Sequence, residues 1–273
     1  MNSLVSDASP EPETGSSFTD RVVWVTGAAS GIGSCVASRF AHLGARVGCI
    51  DANPGVADVA EEIEAGGGVA AGVIADVTDA QAVFGAAREL ESRLGPADIA
   101  VLGAGIPGSA TPIEELELAD WERVIAVNLT GVFVMMKAAI RQLRQAGDGS
   151  IVVIASAAGL AAGPGYAAYY ASKHGAIGLM RTAANELGAE GIRVNAVCPG
   201  WVDTPMFEVQ AAELGWDRER AAATFTEDQL IHRLIEPGEI ADAVVWLASP
   251  RAAMVTGIAL PVDGGLLASQ FSS

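Results

Sequence analysis

Seven apolar runs recur along the chain, each separated from the next by a stretch long enough for a helix or more. In order they are "RVVWVTG", "RVGCID", "GVAAGVIADV", "ADIAVLGAG", "GSIVVIAS", "IRVNAVCPG" and "GIALPVDGG". They are rich in Val and Ile, and nearly continuous rather than alternating with polar residues. That pattern suits strands buried on both faces of a parallel sheet. The segments between them, 34–43, 56–65, 79–94, 121–146, 166–187 and 237–247, read as helices. Strand–helix alternation of this kind predicts an α/β fold with a doubly wound parallel sheet of about seven strands. With 273 residues, 51% of them hydrophobic, one domain can bury a sizeable core.

Two regions fall outside the rhythm. Residues 1–17, "MNSLVSDASPEPETGSS", are rich in Ser, Pro and Glu without an apolar period, and are expected to be a disordered tail ahead of a single domain over 18–273. A segment at about 205–235 shows no strand pattern. It reads as one or two amphipathic helices, placed where a substrate lid would sit after a strand's carboxyl end.

The charge narrows the partners. Sixteen basic and 33 acidic residues give a net charge of −17, and there is no basic run, so neither nucleic acid nor an anionic membrane is an expected partner. The N-terminus has no basic or apolar leader pattern, and the most apolar stretches are broken by Gly, Asp or Pro below the ~20 residues of a spanning helix. Cys35, Cys49 and Cys198 are far apart and odd in number, as expected of reduced thiols in a cytoplasmic protein. His42, His174 and His232 lack ligand spacing, and no metal is expected.

The first run ends in a turn with chemical meaning. "VTGAASGIGS" places Gly27, Gly31 and Gly33 between a strand and a helix. Glycines there permit a tight turn and let the backbone approach a pyrophosphate at the helix N-terminus. The second run ends in Asp51, eighteen residues after Gly33. A carboxylate at that point accepts the hydroxyls of an adenosine ribose and repels a 2′-phosphate. "DANPGVAD" carries no positive charge, so NAD rather than NADP is the expected cofactor.

A second stretch, "GYAAYYASKHG", sets three tyrosines upstream of Lys173. A fixed ammonium lowers a phenol's pKa towards neutrality by favouring the phenolate. On a helix Tyr166 lies about 10 Å along the axis from Lys173, out of contact. Tyr169 and Tyr170, four and three residues away, both share a face with it.

Taken together, these motifs resemble those of the short-chain dehydrogenase/reductase family, over nearly the whole folded chain. "TGAASGIG" is similar to the family's cofactor turn, and carries Ser30 and Ile32 beside the glycines. "ADVTD" resembles its adenine contact at Asp76 and Val77, and "VNLTG" the segment with the active-site Asn128. "IVVIASAAG" carries Ser156, "YYASK" matches the Tyr-x-x-x-Lys pair, and "CPGWVDTPM" resembles the nicotinamide-side loop with Pro199, Gly200, Val202 and Thr204. The resemblance implies a Rossmann fold and selects Tyr169, thirteen residues after Ser156, as the general acid–base. It implies that Lys173 lowers the phenol pKa and holds the nicotinamide ribose. Ser156 would hold the substrate oxygen, and Asn128 a water leading to solvent. One motif departs: where the family has Asn-Asn-Ala-Gly, this chain has Leu102-Gly103-Ala104-Gly105. Ala104 and Gly105 still allow close approach of the cofactor, and loss of the amide ties is expected either to cost stability or to be offset by apolar packing of Leu102, with an effect on cofactor affinity left open.

The implied reaction is NAD(H)-dependent interconversion of a secondary alcohol and a ketone. Tyr166, Trp201, Met206, Phe207 and Trp216, with Leu214, suggest an apolar, partly aromatic pocket that favours neutral substrates. Arg218, Arg220 and Arg233 are the cations within reach of it. The resemblance further implies a homotetramer. The alternatives are a 3-oxoacyl-thioester (carrier protein) reductase, a 3-hydroxybutyrate-type dehydrogenase, and a non-catalytic dinucleotide sensor, which would be expected to lack the Tyr or the Lys.

Overall fold

A computed structural model describes residues 18–269. The tail expected over residues 1–17 lies outside them. All seven runs are strands: β1 (Val22–Thr26), β2 (Arg46–Asp51), β3 (Val69–Ile74), β4 (Ile99–Leu102), β5 (Gly149–Ile154), β6 (Ile192–Pro199) and β7 (Ala259–Val262). They form one sheet in the order β3-β2-β1-β4-β5-β6-β7, parallel at every pairing. The helices are α1 (Gly31–His42), α2 (Val56–Ala65), α3 (Ala80–Leu94), α4 (Leu118–Ile125), α5 (Val132–Ala146), α6 (Ala167–Leu187), α7 (Pro205–Glu213), α8 (Arg218–Phe225), α9 (Pro237–Ala248) and α10 (Leu266–Ser269). The fold is a Rossmann-like doubly wound α/β sandwich.

Alternation along the buried strands feeds two cores. On one face Trp24, Ile151 and Val153 meet Leu90, Met135, Leu143 and Met180 from α3, α5 and α6. On the other Val23, Val25 and Val101 meet Val36, Phe40, Ile63 and Val244 from α1, α2 and α9. Each such side chain contributes about 1.5–3 kcal/mol on burial. Leu90 fits only because β2 carries Gly48 beneath it, where a Cβ would come within 2.8 Å of its Cδ1.

Strand order reverses between β1 and β4, which opens a crevice beyond the carboxyl ends of the strands. That is where this architecture seats a ligand.

The helix expected over 121–146 begins earlier and contains a break. It runs continuously over Leu118–Ala146, with a π turn at Ala126–Gly131 between α4 and α5. It is therefore longer than the sequence reading allowed. Among the described residues it alone is long and apolar enough to cross a membrane, with a mean hydropathy of 1.6 in its most apolar window. Half of that window is buried, as in an interior helix of a globular fold.

The segment after β6 is helical, as read, and firmly packed. Trp201 stacks on Phe225 at 4.1 Å, with Phe207 edge-on to the same ring at 5.8 Å and Trp216 tilted against it at 5.6 Å. The fully buried Gln229 donates to the Ile231 and Arg233 carbonyls (3.1 and 2.8 Å) and accepts from Trp201 N–H (3.3 Å). Arg218 pairs with both Asp203 and Glu208.

Candidate active site

The crevice is a cleft of about 640 Å³, and its two halves are built differently. In the half beside β1 the backbone itself forms the wall. Gly33 is forced: a Cβ there would lie 2.0 Å from the Gly27 carbonyl oxygen. Gly27, at φ +72°, would place a Cβ 2.9 Å from the Gly103 and Ala104 backbone. Ser30 begins α1 without a side-chain cap, and the first turn holds no acidic residue, so its N–H groups are free to meet an anion. Gly31 and Ile32 line the cleft beside them, and the Thr204 methyl stands over Gly31, 3.2 Å from where a Cβ would be.

Asp51 ends β2 with its carboxylate oriented by the turn. It accepts from Ala29 N–H at 3.0 Å and Asn53 N–H at 2.9 Å. No Lys or Arg lies in 27–34 or 51–58. Asp76 accepts from the Thr78 N–H and hydroxyl, both at 2.8 Å, and the buried Val77 packs where Gly131 leaves room. The Leu102-Gly103 departure turns out to be tied by a hydroxyl. Thr26 Oγ1 accepts from Gly103 N–H (3.0 Å) and Ala104 N–H (3.2 Å), joining β1 to β4, while Leu102 is buried as expected. Pro199, Gly200 and Val202 continue the wall past β6.

The reactive groups gather at the ends of β5 and α6. Ser156 follows β5, its Oγ accepting from Ala158 N–H at 3.1 Å and standing within hydrogen-bonding reach of the Tyr169 phenol. Lys173 is buried; its Nζ donates to the Ile154 carbonyl at 3.1 Å and lies 5.5 Å from the Tyr169 ring centroid. Tyr170 also lines the cleft, its hydroxyl lying over Gly163, where a Cβ would come within 2.7 Å. Asn128 is fully buried in the π turn. Its Oδ1 accepts from Ile106 N–H (2.9 Å) and its Nδ2 donates to the Ile106 carbonyl (3.0 Å) and Ser172 Oγ (3.3 Å). Gly105 passes between these groups; a Cβ there would lie 3.4 Å from Asn128 Oδ1 and 3.5 Å from Lys173 Nζ.

Burial governs the protonation of the pair. It raises the Tyr169 phenol above its ordinary value, with the Ser156 hydrogen bond pulling the other way. It lowers Lys173 to about 8. The expected depression of the phenol by Lys173 is therefore not seen in the protein alone. The ammonium is spent on the Ile154 carbonyl and the ring face, and both groups lose water together.

A family model described as "Enoyl-(Acyl carrier protein) reductase" matches residues 27–267, from the glycine turn to α10. The chain belongs to the short-chain dehydrogenase/reductase family. A cis-4-hydroxycyclohexanecarboxylate dehydrogenase of Sinomonas cyclohexanicum is 41% identical over 93% of this chain and 99% of its own. The crystal structure of levodione reductase superposes with a TM-score of 0.89 at 34% identity, covering 93% of this chain and 99% of that one. A variant of actinorhodin polyketide ketoreductase, solved with NADPH, gives 0.86 at 37%, covering 91% and 98%. Members of this family act on a nicotinamide dinucleotide, and the chain is an oxidoreductase of that type.

The other half of this dehydrogenase cleft comes from side chains. Tyr166, Trp201, Met206 and Phe207 line it, as read from the sequence. Trp216 does not: it packs on Phe225 beneath Arg220, whose guanidinium lies 4.8 Å from its ring. Leu214 is partly exposed at the end of α7 and is also absent from the wall. The sequence marked both by type, but ring packing inside the α7–α8 unit claims Trp216, and Leu214 is left exposed past the end of α7. Gln210, Leu266 and Arg123 line the cleft unforeseen. Gln210 was findable, since it follows Met206 by four residues and so shares its helix face.

Proposed function

We propose that the protein is an NAD(H)-dependent enzyme interconverting a neutral secondary alcohol and its ketone. The observation that carries this reading is the convergence of Ser156, Tyr169 and Lys173 on one wall of a cleft whose other end is the β1 turn. The residues present fit a dinucleotide. An uncapped helix start and glycines with no room for a Cβ suit a pyrophosphate, and the Asp51 carboxylate suits a ribose diol.

A bound nicotinamide supplies the hydride donor or acceptor. Ser156 holds the substrate oxygen beside the Tyr169 phenol. Tyr169 gives its proton to that oxygen in reduction and takes one in oxidation. Because burial raises the phenol, donation is favoured at neutral pH and oxidation gains as pH rises. Lys173 holds the ribose next to the nicotinamide and connects the phenol to the buried Asn128–Ile106–Ser172 cluster. Asn128 steers a water on the path by which protons leave. Asp76, Val77, Ala104 and Gly105 seat the adenosine half, and Thr204 meets the carboxamide.

The lid reading also stands as a proposal. The 205–235 segment closes over the substrate from the nicotinamide end, moving as the packed unit that its aromatic stack makes of it. A cytoplasmic homotetramer is proposed, in keeping with three free thiols and with Phe133 and Ile258 half-exposed on α5 and beside β7. A monomer mass by light scattering at micromolar concentration would contradict it. The decisive experiment crosses NAD(H) and NADP(H) with alcohols, ketones, hydroxy acids and acyl thioesters. Turnover of neutral alcohol–ketone pairs with NAD(H) is expected. A 3-oxoacyl-thioester reductase is the second reading, favoured by the likeness to a polyketide ketoreductase solved with NADPH, and a thioester preference with NADPH would establish it.

A further inference from the structure

Tyr166 sits in a backbone conformation that side chains avoid. Among the described non-glycine residues only Asp20 and Tyr166 have positive φ, and Tyr166, at +52°, is the residue that opens α6. Its N–H donates to the Ser109 carbonyl at 3.3 Å, and its ring lies beside Gly108. The effect is to hold the Tyr166 ring on the cleft wall, one turn before Tyr169. Strained conformations of this kind persist where the surrounding structure holds them, and they cluster at ligand sites.

The phenol has a polar neighbour on the same cleft. Gln210, on α7, lines the cleft together with Tyr166, and its amide acts on the Tyr166 phenol. A phenol and a primary amide together offer donors and acceptors, so they can hold either a hydroxyl or a carbonyl. They suit no anion. Glu213 stands close enough to raise the Tyr166 phenol further. The arginines of this region are engaged: Arg218 with Asp203 and Glu208, Arg233 with Glu239, Arg123 with Asp120, and Arg220 over Trp216.

We infer that Tyr166 and Gln210 form a second polar subsite, and that the substrate is a neutral molecule with a second oxygen, a diol, hydroxyketone or diketone. The pair lies on the same cleft as Tyr169, so the second oxygen is one the substrate carries away from its reacting carbon. The inference rests on the alcohol–ketone reading and narrows it to a substrate class.

The test compares cyclohexanone with cyclohexane-1,4-dione, and cyclohexanol with the 1,4-diol, in the intact enzyme. The dioxygenated member of each pair should have the higher kcat/KM, by about tenfold or more. Tyr166→Phe and Gln210→Leu should each reduce that preference about tenfold, acting mainly through KM, and the double variant should lose little beyond either alone. Equal kcat/KM for both members of a pair in the parent, or an equal drop for both in the variants, would overturn the subsite and leave the pair as a strut between α6 and α7. If no member turns over while NADH binds, the alcohol–ketone reading itself fails. The subsite is then judged by binding to the NADH-loaded protein. The dione should bind at least about tenfold tighter than the monoketone, with Tyr166→Phe erasing the difference, and equal affinities would overturn it.

Discussion

The two halves of the cleft meet at Thr204 but are held in shape by different means. At the cofactor end the constraints act on the main chain: Gly33 against the Gly27 carbonyl, Gly27 against Gly103, and the Thr26 hydroxyl accepting from the two N–H groups that follow β4. At the substrate end the constraints are rings and buried amides, with Phe225 between Trp201, Phe207 and Trp216, and Gln229 tying the loop. The first end admits one backbone shape and one class of ligand. The second can be rebuilt with other side chains, and that is where related enzymes of one fold can diverge in substrate.

The comparison is most exposed at the chemistry that joins the halves. Tyr169→Phe should lower kcat by about 10²–10⁴-fold or more, with NADH affinity by fluorescence titration little changed. Tyr170→Phe, whose hydroxyl lies over Gly163, should stay within about tenfold. Comparable activity in the Tyr169 variant would remove the assignment.

Next in size is an effect on stability. Lys173 titrates at about 8 in the folded protein, below the ordinary lysine value of 10.5, so folding is penalised wherever the unfolded chain holds that proton more tightly. The penalty is complete below pH 8 and fades as pH rises to 10.5. Lys173→Met should therefore be more stable than its parent at pH 7, by up to about 3 kcal/mol, with the gap closing towards pH 10. The buried thiol of Cys49, raised to about 12, is common to both proteins and cancels in the difference, whereas Cys198, raised to about 11, is coupled to Lys173 and limits the comparison to pH 10 and below. A gap unchanged between pH 7 and 10 in denaturant titrations would show that Lys173 keeps its ordinary pKa.

The cofactor half can be probed at Asp51. A preference for NAD(H) of about 100-fold in kcat/KM, or ~2.7 kcal/mol, is expected, and Asp51→Ala should narrow it. A parent enzyme faster with NADPH would mean that the carboxylate does not select. The smallest effects belong to the substrate half. Met206→Ala, on the cleft wall, should reorder a substrate series by roughly tenfold. Trp216→Ala, inside the aromatic packing, should lower Tm and depress all substrates alike. If Trp216→Ala reorders the series instead, the boundary between wall and packing has been drawn in the wrong place.

How far the sequence speaks follows the same divide. Strands buried on both faces announce themselves as apolar runs, and all seven were readable. So was the turn, because only glycine satisfies a backbone pressed against itself. The Tyr–Lys helix was readable as well, but not the protonation of its members, since burial depends on what the fold brings around them. The π turn was not legible: "AVNLTG" has an ordinary helical composition, and the extra residue in the turn is set by Asn128 reaching Ile106 on a distant loop. Trp216 was placed on the wall by its type and Gln210 was passed over for its type. Residue type marks which side chains are apolar, whereas the packing of α7 and α8 decides which side chains face the cleft.

The contact between Gly27 and the end of β4 also governs how this chain can be recombined with a relative. The obstruction is main chain on main chain, so no compensating side chain can relieve it. A chimera that takes 22–42 from one parent and 99–105 from another joins two surfaces shaped separately, and should assemble poorly even where both parents are active. An exchange confined to 201–235 leaves the β6–β7 pairing intact, and must preserve the hydrogen bond from Ile231 N–H to the Gly264 carbonyl at 2.9 Å. Grafting 201–235 as a block carries the Trp201–Phe225 stack and Gln229 intact into a new host. The productive seam for exchanging specificities is therefore at Gly200, with the nucleotide scaffold inherited whole.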